Sequence, residues 1–380
     1  MKYCKKCLQP DTRPGIYFSE NQICGACLYE ESKISIDWNE RERELHRIAQ
    51  WAKLESVKRN LDYDCVIGVS GGKDSTFQSF YARDKLGLHP LLVNCMPDEI
   101  TEVGRYNIEN LASHGFDIFH IRPNPVIAKQ LAKKGFYEYG NIQKASEYCL
   151  WSSAYRVAVK WSIPLVIQGE NAALTLGVSS GLNTDDDAFG IFNSNTLQGG
   201  DVSIWEDDGI TAKMLYLYSA PTKKEYDSQN IRSIYLQYYC KEWSQVGNAD
   251  FAIGRGLRGR DREDLHDLGM SRRYTSLDCD LYIANQMIKY LKFGFGATTD
   301  LVCYDIREER ISRADAIWLV NEYDGKCGEQ YLKYACDYIG INESEFWQVT
   351  DQYVNKGLFE KDKKSKKWIP KFSVGDDFAD

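Results

Sequence analysis

The apolar run Cys65-Val66-Ile67-Gly68-Val69 stops at Ser70-Gly71-Gly72-Lys73-Asp74-Ser75, and helical spacing then runs from Ser75 to Leu86 and ends at Gly87. A continuous apolar run of strand length predicts a strand buried on both faces, as in a parallel sheet. Such sheets are built from strands joined by crossover helices, so this short stretch already narrows the fold class. A glycine-rich turn leading into a helix presents backbone N–H groups at the positive end of the helix dipole. Gly71 and Gly72 let the backbone approach a ligand that a Cβ would obstruct, and Ser70 and Ser75 add hydroxyls. The turn reads as an anion cradle sized for phosphates. It lacks the G-x-x-x-x-G-K-[ST] spacing of a Walker A loop and the G-x-G-x-x-G of a dinucleotide fingerprint.

The segments that follow keep the alternation. Strands are expected over Leu88 to Pro97, Ile118 to Pro123 and Ile163 to Asn171, with helices over Thr101 to Asp117, Val126 to Lys134 and Ser146 to Lys160. This predicts an α/β fold with a doubly wound parallel sheet. Ligands of such sheets bind beyond the carboxyl ends of the strands. Ser70 to Ser75, Asn94 to Pro97, Arg122 and Gly169-Glu170-Asn171 are therefore expected around one crevice.

Twelve cysteines occur in the chain, and the start, MKYCKKCLQP, has no apolar stretch of the kind a secretory signal carries. A reducing cytoplasm is the expected setting, with the cysteines as thiols or metal ligands. Cys4-x-x-Cys7 and Cys24-x-x-Cys27, with sixteen residues between the pairs, have zinc-ribbon spacing. The intervening segment has only Ile16-Tyr17-Phe18 as an apolar stretch, so metal binding would supply the missing folding free energy. A redox or iron–sulfur role is the alternative for such pairs. Leu45, Ile48, Trp51 and Leu54 then recur at helical spacing within Glu31 to Asn60, which reads as a connecting helix.

Ser-Gly-Gly-Lys-Asp-Ser in this strand–turn–helix context resembles the PP-loop of the N-type ATP pyrophosphatases, an adenine nucleotide α-hydrolase-like fold. That resemblance implies cleavage of ATP between its α and β phosphates, transfer of AMP to a carbonyl oxygen, and displacement of AMP by a nitrogen or sulfur nucleophile. Lys73 is then the mobile charge near the leaving pyrophosphate, and Asp74 the carboxylate for Mg²⁺. Val93 and Asn94 are expected to border the AMP moiety. Glu170 is expected to bind Mg²⁺ or ribose, or else to cap the next element.

A closer resemblance rests on four features together: CKKC…CGAC with PDTRPGI between, VSGGKDS, LWSSAYRVAVKWSIPLVIQGEN, and KFGFGATTDLVCYDIREERISRADAIWLV. Together they are similar to the N-acetyl sugar amidotransferases of bacterial surface-polysaccharide (lipopolysaccharide O-antigen) and nonulosonic-acid biosynthesis. The resemblance implies conversion of a sugar's acetamido group into an acetamidino group with ATP and ammonia. It also implies a separate class I glutaminase subunit, similar to the one that serves imidazole glycerol phosphate synthase, and a channel subunit as a further partner. The residues agree with an outside ammonia source. No cysteine sits on a glycine-flanked strand–helix elbow, and Lys2, not Cys, follows the initiator Met.

The organisation expected is a Cys4 ribbon over residues 1–35, a connecting helix over 36–60, the PP-loop domain over 61–220 and a mainly helical region over 221–380. In that last region helices are expected over Lys223 to Ser244, Leu281 to Gly296, Ser312 to Gly325 and Asn342 to Val354, with Glu360 to Trp368 as a solvated tail. Arg255 and Arg258, in the charge-dense GRGLRGRDRED, read either as solvated surface or as a lid that meets an anionic substrate. Arg307 and Arg313, six apart, suit a bidentate anion clamp. The net charge of −8 disfavours a broad nucleic-acid surface, and no apolar run reaches the length of a membrane span. Two rival functions carry weight. A tRNA-thiolating PP-loop enzyme would want a further CxxC or an acceptor cysteine in the PP-loop domain and a basic face. A nucleotide-binding scaffold without activity would be expected to lack Asp74.

Overall fold

The computed structural model describes residues 1–97, 99–179 and 181–376. Its centre is a five-stranded sheet in the order β3-β2-β1-β4-β5, formed by β1 (Cys65–Gly68), β2 (Pro90–Cys95), β3 (Asp117–Ile121), β4 (Leu165–Gln168) and β5 (Arg232–Tyr235). Every neighbouring pair is parallel. The order reverses between β1 and β4, which makes their carboxyl ends the switch point where such sheets bind ligands. One face packs Val66, Leu91, Val93 and Val166 against Tyr148, Ala154, Tyr155 and Ala158 of helix Lys144–Trp161. The other packs Cys65, Ile67, Leu92 and Ile167 against helix Trp38–Lys58 and Phe77, Phe80 and Ile108.

Two expectations are corrected. Lys223 to Ser244 is not one helix. Helix Lys223–Ser228 gives way to β5, which carries the sheet beyond residue 220. Ser233, Ile234 and Tyr235 are buried there beside β4, and burial in the sheet overrides the helical spacing of the segment. The expected tail at Glu360 to Trp368 is a small antiparallel hairpin, β6 (Phe359–Lys361) with β7 (Trp368–Pro370), and Phe359 is fully buried against Tyr290 and Phe372.

The N-terminal ribbon is wedged between the sheet domain and the C-terminal helices. Its Tyr17 amide donates to the Gly177 carbonyl, and Ile16 forms a bridge with Val178. On its other side Arg13 pairs with Asp300, stacks over Phe295 at 4.4 Å and donates through Nε to Gln9 at 2.6 Å. Among the described residues no helix is long and apolar enough to cross a membrane.

Candidate active site

Gly72 is the residue before helix Lys73–Phe80, and no side chain caps the first turn. The N–H groups of that turn are left for a ligand. Gly71 is required by its own backbone, at φ +73°, and by helix Glu102–Ser113, because a Cβ there would lie 3.1 Å from Asn107 Cβ. The Ser75 and Thr76 hydroxyls donate to the Gly72 carbonyl at 3.2 and 2.9 Å and hold the loop's shape. Lys73 Nζ lies 2.6 Å from Asp74 Oδ2, and Asp74 Oδ1 accepts from Asn248 Nδ2 at 2.8 Å.

A cavity of about 620 Å³ opens on this loop. Ser70, Gly72, Lys73, Asp74 and Ser75 line it, together with Gly169 and Glu170 from the end of β4. Glu170 is not the cap of the next element. Asn171 caps helix Ala172–Thr175, while Glu170 Oε2 accepts from Gln245 Nε2 and Tyr304 OH, both at 3.1 Å. Burial, and next the nearby Asp74, push the Glu170 carboxyl up to about 7. Gly169 packs where a side chain has no room, since a Cβ would sit 2.5 Å from Gln78 Nε2.

The other wall comes from elsewhere in the chain. Helix Lys144–Trp161 contributes Glu147, Cys149 and Trp151, and the C-terminal region contributes Asp278, Tyr282, Gln286, Tyr334 and Tyr338. Burial pushes the Glu147 carboxyl up to about 7 and that of Asp278 up to about 6. Trp243 Nε1 and Gln286 Oε1 are buried without a hydrogen-bond partner in the protein, and both residues line the cavity. A donor and an acceptor left this way favour a polar ligand.

Several expected site residues lie elsewhere. Val93 and Asn94 sit behind the wall, which the next residues, Cys95, Met96 and Pro97, form. The Val93 carbonyl accepts from Val69 N–H, and Asn94 Nδ2 donates to the Val69 carbonyl at 2.8 Å. Arg122 is exposed and outside the lining, although Pro123 is in it. Arg255 stacks over Phe251 at 3.5 Å and Arg258 over Tyr106 at 3.6 Å, both away from the cavity. Their loop is anchored by Arg260, which is buried and reaches Asp280 at 2.7 Å and the Ser276 carbonyl at 2.8 Å.

The anion clamp of Arg307 and Arg313 is also corrected. Arg307 donates to the Thr175 carbonyl at 2.9 Å and approaches Cys7 Sγ at 4.0 Å, and Arg313 donates to the Cys7 and Gly375 carbonyls. Both hold the ribbon. Asn248, Gln245, Glu147 and Asp278 were missed by sequence reasoning, because none stands in a motif.

Cys4, Cys7, Cys24 and Cys27 are buried with their sulfurs within 4.8 Å of one another. Cys4 and Cys27 sulfurs are 3.9 Å apart and those of Cys7 and Cys24 3.6 Å. Bonds of about 2.3 Å to a tetrahedral zinc place sulfurs about 3.8 Å apart, so the cluster fits that ion. The Gln9 and Cys24 amides point at the Cys7 and Cys4 sulfurs, which suits thiolate ligands. All four positions are filled by protein, so a metal here would be structural.

Residues 271–372 match the family of the C-terminal domain of WbpG-like LPS biosynthesis proteins. This agrees with the resemblance to N-acetyl sugar amidotransferases, and the matched region includes the cavity residues Asp278, Tyr282, Gln286, Tyr334 and Tyr338. Among solved structures, NMN synthetase from Francisella tularensis aligns over 51% of this chain and 92% of its own, with 15% identity and a TM-score of 0.28. No curated protein matches the chain.

Proposed function

We propose that this chain, whose C-terminal region matches a domain of LPS biosynthesis proteins, is an ATP-dependent amidotransferase that turns the acetamido group of an N-acetyl sugar into an acetamidino group. The observation that carries the reading is one cavity with two unlike walls. A phosphate-type loop with its carboxylates forms one, and the family-matched region rich in tyrosines and amides forms the other.

ATP would lie with its phosphates on the turn Ser70 to Ser75. Lys73 and Asp74 pair with each other at 2.6 Å and are ready to part, the ammonium toward phosphate and the carboxylate toward Mg²⁺. Asp74 and Glu170 would hold the metal, which supplies charge neutralisation on the leaving pyrophosphate. Asn248 fixes the orientation of Asp74, as Gln245 and Tyr304 fix that of Glu170. The amide oxygen attacks the α phosphorus and pyrophosphate leaves. Ammonia then adds to the activated carbon, and AMP departs with the former amide oxygen. The product is an amidinium, a planar cation, and the wall that carries Glu147 and Asp278 suits a cation of that kind.

A separate glutaminase would feed ammonia. The test is mass spectrometry of candidate N-acetyl sugars incubated with the pure chain, ATP and either ammonium or glutamine. Amidination with ammonium but not with glutamine is expected. Amidination driven by glutamine in the single chain would refute the outside ammonia source, and incorporation of sulfur into tRNA would favour the thiolation reading.

A further inference from the structure

Two thiols in the cavity have no part in this chemistry. Cys95 ends β2, and Cys149 lies in the second turn of helix Lys144–Trp161. Their sulfurs are 3.2 Å apart across the cavity wall that both residues line. They do not belong to a metal site, because the metal-type cluster among the described residues is the ribbon's. Buried structural cysteines are usually inert for lack of access and of thiolate character. This pair has a different setting. Cys149 is itself buried, at 1% exposure, but both residues line the cavity and Cys95 beside it is partly exposed, so the cavity reaches the pair. The hydrogen bond from Cys95, helped by Ser153, holds the Cys149 thiol below its ordinary range.

We infer that Cys95 and Cys149 are an oxidative modification site, closing to a reversible disulfide when a peroxide enters the nucleotide cavity. The Cys149 thiolate attacks one peroxide oxygen. The O–O bond breaks, and the departing hydroxide takes up a proton to become water. Cys149 is left as a sulfenic acid. The Cys95 sulfur then attacks the Cys149 sulfur, an S–S bond forms, the S–O bond breaks, and the oxygen leaves with the Cys95 proton as a second water. Two thiols and one peroxide give one disulfide and two waters. A disulfide bond is about 2.0 Å long, so the sulfurs must approach by roughly 1 Å. Cys149 is held in a helix, whereas Cys95 ends its strand and is followed by the loop Met96-Pro97, so the displacement falls on the wall beside the phosphate turn. Shifts of about 1 Å in a positioning wall cost on the order of 10²-fold in turnover.

The experiment treats the full-length, zinc-loaded protein with hydrogen peroxide. ATP turnover, zinc release and alkylation of each cysteine are followed by mass spectrometry before and after addition of a thiol reductant. The expected result is a Cys95–Cys149 cross-linked peptide, a fall in turnover on the order of 10²-fold, and recovery with reductant while zinc stays bound. Bound ATP should slow the cross-link. Cys149→Ser and Cys95→Ser, each compared with its own untreated activity, should resist peroxide. Both thiols staying open to alkylation would overturn the proposal. So would equally fast inactivation of the two variants, or loss of activity that tracks zinc release.

Discussion

Charged side chains crowd two regions of the molecule, and they are used in opposite ways. At the ribbon junction Arg13, Asp300, Lys289, Arg307 and Arg313 all have protein partners. Arg13 pairs with Asp300, Lys289 Nζ meets the same carboxylate at 2.7 Å, and Arg307 and Arg313 donate to carbonyls. In the cavity Lys73, Asp74, Glu147, Glu170 and Asp278 line open space; Lys73 pairs with Asp74, and Glu170 accepts from Gln245 and Tyr304, yet three of the carboxyls are pushed up to between about 6 and about 7. A charge paired away from any cavity serves as a strut. A charge that pays a desolvation cost toward a cavity is poised for a ligand. Changes at the junction should therefore cost stability, and changes in the cavity should cost chemistry.

The largest effect is expected from the metal. Cys24→Ser should abolish soluble folded protein, and metal analysis of the wild type should give about one zinc per chain, because a structural site of this kind contributes on the order of 10 kcal/mol. A metal-free wild type with an unchanged melting temperature would remove the ribbon from the strut class. Next in size is Arg13→Met. It leaves the Asp300 carboxylate compensated by Lys289 and should lower stability by about 1.5–3 kcal/mol, the usual cost of a lost hydrogen bond to a charged group. Urea unfolding measures this. Turnover per folded molecule should hold, and a fall in turnover without a fall in stability would break the contrast.

Asp74→Asn should do the reverse. Its melting temperature should stay near the wild-type value while kcat falls by roughly 10²–10³, the usual cost of one lost charge stabiliser. The smallest effect concerns pH. Glu147 has a folded-state value near 7 against an unfolded value of about 4.3. The proton is bound more tightly in the folded state, so its stabilising contribution is complete below about pH 4.3 and is lost as pH rises through 7. Melting curves of the ligand-free protein should show that decline, and Glu147→Gln should make it shallower, with Glu170 and Asp278 carrying the remainder. An identical pH profile in the variant would show that Glu147 is not the group titrating.

The strand–turn–helix around Ser70 to Ser75 was legible in the sequence because its requirements are local: an apolar strand, two glycines and a helix start lie within about a dozen residues. The Cys4 cluster was legible for the same reason. β5 was not, because four residues, Arg-Ser-Ile-Tyr, carry no period and take strand form only by lying beside β4. The opposite wall of the cavity was not legible either. Asn248 reaches Asp74 across 174 positions, and Tyr282 and Gln286 come to line one cavity with helix Lys144–Trp161 only after the C-terminal helices pack. The arginines were misread because sequence shows a charge without its partner. For Arg307 and Arg313 those partners are backbone carbonyls inside the protein.

In the proposed reaction the turn at Gly71 and Gly72 holds the leaving pyrophosphate of an adenylation. The direct measurement is to count the nucleotide products formed per sugar converted, with ammonium as the nitrogen source. One AMP and one pyrophosphate are expected for each acetamidino sugar. Formation of ADP and phosphate in step with sugar conversion would contradict it.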